Sequence, residues 1–281
     1  MINIERCNEI VLELVSYYLN NHECAIDNKQ IKSVMDCGVD ELEAYTLLLQ
    51  NYLEVDNREI QNLYFKEMVT NLNKYDFVNN PYYKNISFHN IKSGKWELKY
   101  SSYKPYELFV QDDFKYKFDG RVIPNLGYFN DTFQFPAVYE NDRLWMSVTP
   151  NEINTMIEPI NNAKGKVVTF GLGLGYFAYM CSLKDNVEKV VIVEKDEDVI
   201  RLFKENILSQ FEFKSKIEIV QSDAYEFLSN MTEDICDYVF VDIYHDASDG
   251  VKVYQKFKPF EVKLKNIKFD YWIEKTIRYY V

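Results

Sequence analysis

Val167-Val168-Thr169-Phe170-Gly171-Leu172-Gly173-Leu174-Gly175-Tyr176 is the stretch on which the fold of this 281-residue chain turns. Residues suited to a buried strand run straight into three glycines at alternate positions, and a helix-compatible apolar segment follows. Glycine at such a turn accepts positive φ and lets a ligand, or another stretch of backbone, come close. The pattern alone is weak, because packing also produces it. Its surroundings sharpen it.

Downstream, strand and helix signals alternate. Strands are expected over 166–170, 187–193, 217–220 and 238–241, with helices over 174–183, 196–210 and about 225–230. Such alternation predicts an α/β domain: a parallel sheet with helices on both faces. Just upstream, Thr149-Pro150-Asn151-Glu152 offers an N-cap, a proline at the first helical position and the glutamate of a capping box. Near the end of the chain Phe269, Trp272, Ile273, Ile277 and Tyr280 fall at helical spacing. No fifth, sixth or seventh strand is then expected, and the far half of the sheet is read as reduced.

Two other stretches precede this one. Residues 1–75 read as helices: Ile4, Cys7, Val11, Leu14, Val15, Tyr18 and Leu19 share one face, Cys37-Gly38 closes a second helix, and Asp40 caps a third over 41–53. Asp56 with Glu59 resembles the capping box of a fourth. Residues 76–148 read as a small β-rich subdomain, with strands over 96–100, 106–110, 114–118 and 144–148 and a turn at Asp119-Gly120. Pro124 to Phe129 reads as a loop that lines a pocket or simply packs.

Chemistry is expected where the strands of 149–281 end. Glu194 closes the second strand 19 positions after Gly175, where an acid accepts from ribose hydroxyls in Rossmann-type sites; a solvated strand-end glutamate is the plain alternative. Ser222-Asp223-Ala224 closes the third. Asp223 either takes the amino group of an adenine, with small Ala224 leaving room for the ring, or caps the following helix. Asp242 closes the fourth and so lies at the reaction centre, while His245 and Asp246 are candidates for deprotonating or orienting a nucleophile. Against that, Ser248 or Asp249 caps the next helix and His245 is a loop residue.

Gly171, Gly173, Gly175, Glu194, Asp223-Ala224 and Asp242 together resemble the class I S-adenosylmethionine-dependent methyltransferases, closest to their spermidine-synthase-like branch. The resemblance covers about the last 130 residues. It implies a Rossmann-like methyltransferase domain over 149–281 with S-adenosylmethionine as cofactor. It also implies that the three glycines, with Thr169 beside them, hold the methionine end, that Glu194 binds the ribose and Asp223 the adenine, and that Asp242 lies near the reactive sulfur. The sequence departs from the family in three places. Thr169 stands where methyltransferases carry an acid, Leu174 where spermidine synthases carry an aspartate, and Asp242 and Asp246 are four apart where that branch has a spacing of three.

Composition bounds the partners. A formal charge of −12 disfavours a phosphate backbone, so no nucleic acid is expected. No apolar run reaches membrane-span length and no secretory signal opens the chain, so a cytoplasmic protein without a membrane partner is expected. Five scattered cysteines and three separated histidines give no metal motif. The 23 Tyr and 19 Phe are read first as core, and second as an interface for a homo-oligomer or a substrate groove. Tyr176 stands where a dinucleotide fingerprint wants glycine or alanine, which disfavours a nicotinamide enzyme. Three functions remain: methyl transfer to a small-molecule or protein acceptor, aminopropyl transfer from decarboxylated S-adenosylmethionine to an amine, and nucleotide binding without catalysis.

Overall fold

The computed structural model describes residues 3–281. They fall into two compact units, one formed by the chain up to Tyr75 with Ser102–Gln134, the other by Asp76–Ser101 with Phe135–Val281. In chain order the strands are β1 (Val69–Asn71), β2 (Ile91–Ser93), β3 (Trp96–Tyr103), β4 (Phe109–Tyr116), β5 (Val122–Tyr128), β6 (Phe133–Glu140), β7 (Arg143–Ser147), β8 (Gly165–Phe170), β9 (Val187–Glu194), β10 (Ile217–Gln221), β11 (Tyr238–Val241) and β12 (Lys268–Tyr271). Among the described residues they form three sheets, ordered β1-β5-β4, β2-β3-β6-β7 and β10-β9-β8-β11-β12. The stretch 76–148 therefore contributes strands to both units.

The five-stranded sheet is parallel throughout and Rossmann-like in its order. Val167 to Phe170 in β8 and Tyr238 to Val241 in β11 are all buried, the run expected of central strands covered on both faces. Aromatic rings supply much of the cover: Phe177 stacks on Phe240 at 4.2 Å, and Phe257 meets Phe170 edge-on at 5.3 Å. From β8 the chain moves out through β9 to β10, then returns to lay β11 on the other side of β8. The exits of β8 and β11 are thus neighbours at the point where the order reverses, and there open α/β sheets bind ligands.

A fifth strand is present where a helix was expected. β12 pairs in parallel with β11, Tyr238 opposite Lys268 and Val241 opposite Tyr271, and the helix begins only at Glu274. Four residues are too few to display a period of two, and their apolar positions merge with those of the short helix behind them. Asp270 shows the tertiary logic that the pattern hides. Its carboxylate accepts from Tyr238 Oη at 2.7 Å and Asn162 Nδ2 at 2.9 Å, fastening β12 to the sheet and to the helix Pro150–Asn162. No sixth or seventh strand follows among the described residues, so the reduction of the far half is smaller than the sequence suggests.

The first unit packs helices Ile4–Asn21, Asn28–Met35 and Glu41–Tyr52 on a core that includes Val11, Tyr18, Tyr45, Leu49, Tyr64 and Tyr128. Asp40 caps the third helix as expected, but Asn57 rather than Asp56 caps the fourth, its Oδ1 accepting from Glu59 N at 2.8 Å. Pro124 to Phe129 is neither a pocket-lining loop nor a turn. Residues Val122–Tyr128 are the fully buried central strand β5. A proline survives there because β1 reaches only Leu126–Tyr128, and β4 bulges opposite Pro124, its register jumping between Asp112 and Lys115. The strands expected over 106–110 and 114–118 are likewise one bulged strand, β4, with Tyr106 outside it at φ +63°.

One buried amide ties this unit together. Asn8 donates through Nδ2 to Gly120 O at 3.0 Å, while its Oδ1 accepts from Tyr64 Oη at 2.7 Å and Val122 N at 3.0 Å. Replacing Asn8 with Ala removes its bonds to the Tyr64 hydroxyl, the Val122 N–H and the Gly120 carbonyl and opens a small cavity. The expected cost is about 2–4 kcal/mol, read as a lower urea midpoint of the variant.

Candidate functional site

A cavity of about 300 Å³ lies within the second unit. Its floor is made where four parallel strands end: Gly171, Leu172 and Gly173 after β8, Glu194 at the end of β9, Ser222 to Ala224 after β10, and Asp242 to His245 after β11. The antiparallel sheet supplies the facing wall through Lys95, Trp96, Val138, Glu140, Trp145 and Met146, and Glu152 joins them from the first turn of the helix Pro150–Asn162. Of the residues singled out in the sequence, Gly171, Gly173, Glu194, Asp223, Ala224, Asp242 and His245 line this one cavity. Thr169 and Gly175 line a smaller adjoining pocket, and Asp246 lines neither.

The three glycines adopt φ of +100°, +48° and +73°, and each is also required by the protein's own packing. A Cβ on Gly171 would stand 2.0 Å from the carbonyl oxygen of Asp242. One on Gly173 would stand 1.7 Å from Met146 Sδ, and one on Gly175 2.4 Å from the ring of Phe203. Leu174 N–H donates to Met146 Sδ at 3.3 Å, and Leu172 N–H to Glu194 Oε2 at 3.2 Å. Met146 thus occupies part of the cradle, while a space at the lower end of the range of about 300–1,000 Å³ usual for ligand pockets remains beside it.

Glu194 is half-buried. Oε2 steadies the glycine turn and Oε1 accepts from Asp196 N at 2.9 Å, so the side chain is pre-oriented. Each carboxylate oxygen has a second lone pair, which suffices for two hydroxyl donors. Asp223 is exposed and caps the helix Ala224–Ser229, Oδ1 accepting from Tyr225 N at 2.8 Å and Glu226 N at 3.2 Å. Asp246 caps the helix Ala247–Lys263 and forms a capping box with Asp249. The cap is therefore Asp246 itself, where Ser248 or Asp249 was expected, and Asp249 closes the box from the third helical position. His245 Nε2 lies 3.0 Å from the carbonyl of Leu144, which can only accept, so that nitrogen carries the hydrogen. Its Nδ1 lies 3.5 Å from Asp246 Oδ2.

Glu152 departs most from expectation. Thr149 occupies the N-cap position without a side-chain bond, and Glu152 does not close a capping box. Its side chain is buried instead, at 7% exposure, and Oε2 has no hydrogen-bond partner. Burial, and then the charge of Asp242, push its carboxyl well above the usual range. Burial also raises Asp242 to about 7. The sequence offered no signal for this pair, because a glutamate three residues into a helix reads as a cap. Trp96, Trp145 and Met146 were equally invisible as wall residues, being ordinary members of strands.

A carboxyl held protonated by the fold makes stability fall as pH rises from its unfolded value, near 4, toward its folded value of about 7. Asp242→Asn removes that loss. The melting temperature of the variant relative to the unaltered protein is expected to rise by about 3–6 °C between pH 5 and pH 8, followed by calorimetry. A constant difference would mean that Asp242 is ionised throughout.

No family model and no curated protein matches the chain. Solved structures give weak similarity. Spermidine synthase from Thermotoga maritima aligns at 17% identity and a TM-score of 0.33, over 44% of this chain and 48% of that one. A putative O-methyltransferase from Klebsiella pneumoniae aligns at 15% identity and a TM-score of 0.28, over 36% and 44%. The chain spans less than half the length of either structure, and similarity at this level transfers no residue role.

Proposed function

We propose that the second unit binds S-adenosylmethionine, or a close adenosyl analogue, and serves methyl transfer to a small-molecule or protein acceptor. The observation that carries the reading is the convergence of a glycine turn and three strand-end acids on one cavity at the reversal of strand order. Glu194, already oriented by two backbone N–H groups, would accept both ribose hydroxyls. Small, buried Ala224 leaves room for the adenine, and Asp223 stands beside it to accept from the amino group. S-Adenosylmethionine, when bound, supplies a methyl group already activated by its sulfonium.

The chain's own contribution would then be alignment and proton handling. Asp242, titrating near neutrality, can take a proton from an acceptor that must lose one. Trp96, buried, and Trp145, 6.0 Å away and edge-on, wall the cavity on the opposite side. Aminopropyl transfer has less support, since Leu174 brings no carboxylate to the turn. Nucleotide binding without catalysis draws on a specific contact, Met146 Sδ resting on the N–H of Leu174.

Calorimetric titration of the full chain with S-adenosylhomocysteine is expected to show saturable binding, and titration with NAD to show none. Glu194→Gln, which keeps the shape of the side chain and removes its charge, should weaken binding roughly ten- to hundredfold, the loss of a charge-assisted hydrogen bond. Unchanged affinity in that variant would refute the ribose assignment, and no binding by the unaltered chain would end the adenosyl reading. Binding without turnover over a panel of acceptors would select the non-catalytic alternative.

A further inference from the structure

We propose that Glu152, paired with Asp242, is the receptor for a primary ammonium group carried by the tail of the adenosyl ligand; this rests on the adenosyl reading above. Glu152 is more than nine-tenths buried, its Oε2 is unpartnered, and it lines the same cavity as Gly171, Gly173 and Asp242. Among the described residues neither carboxyl takes part in an ion pair. The groups that act electrostatically on Glu152 are Asp242, at the exit of β11, and Tyr176, on the helix Tyr176–Ser182; neither is a cation. Two lysines line the cavity: Lys95 is engaged by Glu140 at 2.6 Å and Asp196 at 3.2 Å, and Lys195 is exposed.

A buried carboxyl beside a half-buried one is costly when both are ionised, and the pair is relieved either by holding a proton or by a cation with its own hydrogen-bond donors. A primary ammonium has three N–H donors, enough to serve Glu152 Oε2 and Asp242 at once. Glu152 brings its carboxyl to the cavity from the helix that precedes the sheet. In the absence of a cation the pair retains protons, which the burial of both groups favours. Docking of an ammonium therefore expels a proton, and the gain from the amine grows as pH rises.

The test compares S-adenosylhomocysteine with its desamino analogue, in which hydrogen replaces the amino group, on the full chain by calorimetry. Titrations at pH 6 and pH 8 are run in two buffers of different ionisation enthalpy. At pH 8 the amine-bearing ligand is expected to bind at least tenfold tighter, with proton release seen for it alone, and the gap should narrow at pH 6. Glu152→Gln should remove most of the gap and the proton release. Equal affinities for the two ligands in the unaltered protein would overturn the proposal while leaving the adenosyl reading intact, and this comparison requires no variant. Failure of both ligands to bind would overturn the adenosyl reading and this proposal with it. A third arm adds propylamine to the chain saturated with the desamino analogue. Propylamine binding that releases a proton and is lost in Glu152→Gln, with no preference for S-adenosylhomocysteine, would assign the receptor to an acceptor amine and overturn the assignment to the tail.

Discussion

Everything in the second unit depends on how closely two neighbouring strands leave the sheet. Gly171 follows β8 and Asp242 follows β11, and the carbonyl of Asp242 lies where a side chain on Gly171 would have to be. Asp242 N donates to Phe170 O at 2.9 Å, so the approach is locked by the last bond of the ladder. A larger residue at 171 would part the strands and move Asp242 away from the turn. The same glycine that permits the fold thus also sets the acid against the cavity. Fold and site are one constraint here.

That constraint explains what the sequence made legible. The glycine turn, Glu194 and Asp242 are tied to the ends of strands, and buried strands announce themselves by apolar runs that loops and acids interrupt. Sheet direction and the neighbouring positions of these residues follow from that alone. Other acids were ambiguous for a physical reason. Asp223 and Asp246 stand between a strand and a helix, where an N-cap and a ligand contact call for the same short carboxylate. Only the direction of the oxygens separates the two uses.

Glu152 shows the opposite failure. Its position three residues after Thr149 satisfies the capping-box pattern, yet the helix buries that face and leaves the carboxyl in the cavity. Pattern reading weighs a residue against its neighbours in sequence, whereas burial depends on what the fold lays over it. β12 and Pro124 were misread on the same ground. A four-residue strand acquires its identity from Val241 and its neighbours, and a proline in a central strand from the bulge facing it. Met146 belongs with them: no local signal tells a strand methionine that it will rest against Gly173.

The charges around the cavity bear on which nucleotide suits it. A pyrophosphate needs free backbone N–H groups at the turn and unpaired cations near it. At this turn Leu172 N–H serves Glu194 and Leu174 N–H serves Met146, while Lys95 is held by Glu140 and Asp196. Apart from the proton-holding pair Glu152 and Asp242, the acids Glu140, Glu194, Asp196 and Asp223 line the space against the lysines Lys95 and Lys195, so its balance of charge is negative. A phosphate would enter against that field and find its natural donors occupied. A phosphate-free nucleoside whose tail bears positive charge would find a carboxylate for its diol and the Glu152–Asp242 pair for its cation. The electrostatics therefore favour an adenosyl ligand over a dinucleotide without appeal to the bulk of Tyr176, which reached the same preference from packing alone.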